Sequence, residues 1–79
     1  MHQSSEDIKR ELAIRFCSNL RYYRKQKGLT QLDLAAILNI SKRFIINMEM
    51  GENMPKADLA YLIAKALDIS LDDLFKEVQ

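Results

Sequence analysis

At 79 residues the chain is one small domain, and a chain this size buries only roughly 60% of its unfolded surface. Apolar residues at 48% and charged residues at 29% are ordinary for a soluble globular protein, while one cysteine (Cys17) and one histidine (His2) exclude an internal disulfide and a zinc site. The formal net charge of +1 hides an asymmetry: residues 9–43 carry nine Lys and Arg against Glu11 and Asp33, whereas residues 44–79 carry three Lys against seven acids. A basic half on a near-neutral chain is the footprint phosphate binding requires; a solvated helix face is the plainer alternative. No apolar run reaches membrane-spanning length and the start has no signal-like apolar stretch, so a cytoplasmic protein without a membrane partner is expected.

Every long segment has helical period, which predicts an all-α domain over 1–79, residues 1–5 frayed. The first helix carries Ile8, Leu12, Phe16 and Leu20 at i+4, flanked by Ala13 and Tyr23. Ser4 with Asp7 reads as its capping box, and Gly28 as its left-handed stop. Thr30 and Asp33 cap a second, short helix with Leu34, Ala35, Ile37 and Leu38 on its apolar face. It stops at Asn39, which tolerates the left-handed conformation. Ser41 caps a third helix to about Met50, with Ile45 and Met48 inward and Gly51 at its end. Pro55 opens a fourth, buried through Leu59, Leu62, Ile63, Ala66 and Leu67. Ser70 and Asp73 cap a short fifth with Leu71, Leu74, Phe75 and Val78. Tyr22, Tyr23 and Tyr61 are expected to anchor the core, and Cys17 to be half-buried.

The pair of short helices at about 31–50 is the informative part. Only Asn39 and Ile40 separate them before Ser41, too short a link for an antiparallel hairpin, so the helices must cross steeply. A steep crossing needs a small residue at the close approach (Ala35), a left-handed residue in the turn (Asn39), and apolar locks (Leu34, Ile40, Ile45, Met48). That is a helix-turn-helix pattern.

The run Gly28-Leu29-Thr30-Gln31, then Leu34-Ala35, Ile40-Ser41, Ile45, Glu49 and Gly51, is similar to the Cro/CI-type (XRE) family of helix-turn-helix DNA-binding proteins. The likeness continues through Pro55, Leu59, Ala64, Leu67 and Ser70 to Phe75. It implies a compact five-helix, lambda-repressor-like domain that binds operator DNA, commonly as a two-fold dimer, with its third helix in the major groove. The small size also resembles restriction–modification controller proteins and small phage repressors. The sequence departs from the family at Asn39, where glycine is usual, at the 50–54 loop, which is often basic in the family and here holds Glu52 and no Lys or Arg, and at the bulky Phe44 and Ile46. Residues 1–14 lie outside the shared pattern.

Lys42 and Arg43 open the third helix, where its positive dipole end disfavours bases unless an external anion offsets them. Asn47 lies one turn from Arg43, and Ile46 one turn from Lys42. Arg chelates guanine and Asn chelates adenine in the major groove, and an aliphatic side chain can meet a thymine methyl. Lys42, Arg43, Ile46 and Asn47 are thus the expected base readers. Gln31, at the start of the second helix, can clamp a phosphate with its amide and free backbone N–H groups. The family resemblance implies that Arg24 pairs with Glu49, leaving it half structural and half phosphate-binding. Ser41, Phe44 and Lys56 complete the expected phosphate set, although core rim beside Met48 is the favoured reading of Phe44 over a ring that meets a sugar or thymine methyl; Arg21, Lys25 and Lys27 are generic cations. Leu67, Ile69, Leu71, Leu74, Phe75 and Val78 are too many apolar side chains for one terminal helix to hide, so they are the expected homodimer surface, unless they close the monomer's core.

A sequence-specific regulator on a near-palindromic operator is the resulting expectation; an antitoxin-like or adaptor module acting by protein–protein contact is the alternative. Contact with RNA polymerase would serve activation, although no residue identifies such a patch. An enzyme lacks parts: there is no serine–base pair, phosphate-cradling glycine loop or metal cluster, and no cofactor is implied.

Overall fold

Serines and threonines set four of the five helix starts. In the computed structural model, which describes residues 4–77, Ser4, Thr30, Ser41 and Ser70 each accept a hydrogen bond from the backbone N–H three residues on, at 3.0–3.2 Å. The helices are α1 (Ser5–Gln26), α2 (Gln31–Leu38), α3 (Lys42–Glu49), α4 (Ala57–Ala66) and α5 (Leu71–Phe75). At Thr30 and Ser70 the box is reciprocal, because Asp33 and Asp73 accept from the N-cap backbone. α1 begins at Ser5, within the stretch expected to fray; residues 1–3 lie outside those described.

The helix ends repeat one device. Gly28, Asn39, Gly51 and Asp68 all have positive φ, between 57° and 79°. Each turns the chain so that two N–H groups bond back to the last turn of the helix, the Schellman arrangement. Asn39 does this between α2 and α3 (φ 57°), as the sequence predicts. Asp68 is the unforeseen member: no glycine marks it, and only the tolerance of short polar side chains for this conformation permits it.

Phe16, Leu20, Leu34, Ile45, Met48, Ile63 and Leu74 are fully buried and form one core. α2 packs on α3 and α4, and α1 packs on α3 and α5. Phe16 stacks on Phe75 at 5.7 Å between ring centroids. Buried Asn19 donates through Nδ2 to the carbonyls of Leu74 (3.1 Å) and Lys76 (3.0 Å), tying the end of α5 to α1. Cys17 is half-buried and its Sγ donates to the Ile14 carbonyl at 3.3 Å.

Several expected core residues stay outside. Ile8 and Leu12 continue the α1 stripe but are exposed, because α1, at 22 residues, is about 33 Å long. It outruns a body only 20–21 Å across its shorter axes. Ile37 and Leu62 are also exposed. α4 instead buries Ala60 and Ala64, whose small side chains let neighbouring helices approach. Of the three tyrosines only Tyr23 reaches the core; Tyr22 and Tyr61 are exposed. The set expected on a dimer surface splits. Leu67 and Leu74 are inside the protomer, Ile69 and Phe75 are half-buried against the core, and Leu71 is 42% exposed. Val78 lies outside the described residues.

Candidate nucleic-acid interface

α3 is anchored by one face and one end. Ile45 and Met48 point into the core, and Phe44 packs at its rim. The rim position accounts for Phe44 without any contact to a backbone. The opposite face carries Lys42 and Arg43, both exposed, with Ile46 and Asn47 half-buried one turn later. Among the described residues, no hydrogen bond or ion pair engages the Lys42, Arg43 or Asn47 side chains. Two cations therefore sit at the positive end of a helix dipole with no internal anion to offset them.

The other end of α3 is held from several directions. Glu49 is 4% exposed and Arg24 is 8% exposed. Arg24 donates from Nε to Glu49 Oε2 at 2.6 Å and from Nη2 to Oε1 at 3.0 Å, a bidentate fork. Its Nη1 donates to the Leu29 carbonyl at 2.9 Å. The Glu49 carboxylate raises the Arg24 pKa by accepting this hydrogen bond, against the opposing cost of burial. Gln31 Nε2 donates to the same Glu49 Oε1 at 3.2 Å. Arg21 Nη2 donates to the Glu49 main-chain carbonyl at 3.2 Å.

Two sequence expectations change here. Arg24 pairs with Glu49 as the resemblance implies, and with all three of its nitrogens donating inward its structural half dominates, as a buried clamp between α1 and α3. Gln31 gives one amide N–H to Glu49, so it ties the start of α2 to the end of α3. It keeps its carbonyl oxygen and a second N–H. Ser41 and Lys56 are exposed at the starts of α3 and α4. The role of Arg21 was missed. The signal available was its i,i+3 spacing from Arg24, which puts both on neighbouring parts of one helix face.

Comparison with known proteins decides the family. The helix-turn-helix family profile matches residues 20–74. The chain belongs to the XRE-type helix-turn-helix family of transcriptional regulators. It is 41% identical over 58 residues to an HTH-type transcriptional regulator of Methanocaldococcus jannaschii, covering 73% of this chain and 88% of that one. A second such regulator, from Methanothermobacter thermautotrophicus, is 39% identical over 57 residues, covering 71% and 83%. Among solved structures, the restriction–modification controller protein C.AhdI from Aeromonas hydrophila superposes with a TM-score of 0.75 at 30% identity. That likeness covers 80% of this chain and 96% of that one. The matched family segment begins at residue 20, so the protruding first turns of α1 lie outside it.

Proposed function

We propose that this XRE-type regulator recognises a specific DNA sequence by laying α3 in the major groove. The observation that carries the reading is the row Lys42, Arg43, Ile46 and Asn47. It is turned outward on a helix whose other face is buried and whose far end is clamped. Arg43 would chelate a guanine, Asn47 an adenine, Lys42 a guanine or a phosphate, and Ile46 a thymine methyl. Register on the duplex would come from Ser41, Lys56, and Gln31 with the free N–H groups at the start of α2. The likeness to a restriction–modification controller protein supports a regulator of that kind.

The working form would be a homodimer placing two α3 helices ~34 Å apart on a near-palindromic site. Its interface would use the part of the apolar set that remains at the surface, Leu71 with the edges of Ile69 and Phe75. Leu71→Asp should then shift sedimentation from dimer to monomer without unfolding the protomer. A wild-type protein that stays monomeric at high concentration would remove this interface.

Selection of bound sites from a random duplex pool tests the function itself. Enrichment of one motif with two-fold symmetry is expected, with affinity falling steeply as salt rises. No enrichment, together with a flat salt response, would contradict it.

A further inference from the structure

The four helix ends that share the Schellman turn are not equivalent. After Gly28, Asn39 and Asp68 the next residue is Leu29, Ile40 or Ile69, each half-buried against the core. This apolar contact is what fixes the direction of the outgoing chain. After Gly51 the next residue is Glu52, which is exposed. The end of α3 is the one among these four without an apolar lock.

The carbonyls of its last turn show what replaces it. Ile46 accepts from Met50 N–H (2.9 Å), Asn47 from Glu52 (2.9 Å) and Met48 from Gly51 (3.2 Å). The fourth, Glu49, lies beyond reach of the turn and accepts from Arg21 at 3.2 Å. Arg21 also brings positive charge to the negative end of the α3 dipole. Arg24 holds the Glu49 side chain while Arg21 holds its main chain.

We propose that Arg21 is a positioning residue for DNA recognition: through the Glu49 carbonyl it holds the C-terminal end of α3 and the chain leaving it, at the helix end that lacks an apolar lock. The inference rests on the reading of α3 as the recognition helix. It differs from the simpler role of an exposed arginine, a phosphate ligand, and the two can be told apart.

The test compares wild type, Arg21→Ala and Arg21→Lys. Each is titrated with the selected operator and with a random duplex of equal length over a range of salt, and amide hydrogen exchange is measured on each free protein. Arg21→Ala should lose about tenfold in operator affinity, the scale of one charged hydrogen bond. Its affinity for random duplex, and the slope of log affinity against log salt, should stay put. Exchange at Met50, Gly51 and Glu52 should quicken while α4 is unchanged, and Arg21→Lys should recover part of both effects. A salt slope lowered by about one, with exchange unaltered, would make Arg21 a phosphate ligand and overturn the proposal. Equal operator affinity for all three proteins would overturn it as well. A wild type that selects no sequence at all would instead strike the recognition reading beneath it.

Discussion

The two ends of α3 are built in opposite ways. At its C-terminal end Glu49 is buried and receives donors from Arg24, Gln31 and Arg21. At its N-terminal end Lys42 and Arg43 are exposed, and the Ser41 hydroxyl caps the first turn at 3.1 Å. A uniformly anchored helix would have no spare donors, and a uniformly loose one could not aim them. The difference separates holding from reading: α1 and α2 fix where α3 lies, and its free end faces outward.

The sharpest way to break this comparison is to remove the hold. Arg24→Ala strands the Glu49 carboxylate in the interior, which costs about 3–5 kcal/mol for a buried pair broken on one side. Urea denaturation should show a loss of that size. A loss under about 1 kcal/mol would mean the pair is hydrated and the clamp weak. Replacing both partners with apolar residues, Arg24→Met with Glu49→Leu, should recover much of the stability.

The second prediction addresses the reading end. Arg43→Ala should cost about 1–3 kcal/mol of operator binding and relax preference at one base pair. Its unfolding free energy should move by no more than about 0.5 kcal/mol, since nothing among the described residues uses this side chain. An unfolding midpoint displaced as far as for Arg24→Ala would erase the distinction between the ends.

The third concerns the corner between α2 and α3. Asn39 holds φ 57°, so Asn39→Ala should destabilise by about 1 kcal/mol, while Asn39→Gly should be neutral or better. Thermal melts of the pair would show it, and equal melting temperatures would mean the turn relaxes.

The smallest effect is a pH dependence. Hydrogen bonds from the Thr30 backbone, and then from its hydroxyl, hold the Asp33 carboxyl below the usual carboxylate range. A folded-state pKa below the unfolded one contributes stability above the unfolded pKa, and that contribution is lost as pH falls through the folded pKa. Wild type should therefore lose stability in that acid window, and Asp33→Asn should show a shallower fall. Identical acid profiles would mean the box adds nothing.

Much of this was legible in the sequence because caps and turns are local chemistry. Thr30 with Asp33, Ser70 with Asp73, and Asn39 in the corner each announce themselves within four residues. Burial was less legible, because periodicity reports that a helix has an apolar stripe and not how far a neighbour extends along it. Ile8 and Leu12 carry the stripe beyond the reach of the other helices, and Ile37 and Leu62 sit at the margins of theirs. The expected dimer surface failed at Leu67 and Leu74 for the converse reason. Counting apolar residues at the end of α4 and on α5 ignores that α1 and α4 pack against α5 and cover them. At the site, the outward row followed from helix phase. The Arg24–Glu49 pair was legible only through the family resemblance, and the inward use of Gln31 and Arg21 brings residues 18 and 28 positions from Glu49 in sequence to meet it, a juxtaposition that no local pattern encodes.

Titration of nitrogen-labelled protein with its selected operator, followed by amide and side-chain shifts, tests the division of α3 most directly. The account predicts the largest changes at residues 41–47 and at Gln31, with the Arg24 side chain and residues 49–52 nearly still. Changes centred on α5 or the protruding turns of α1, with Lys42 and Arg43 silent, would contradict it.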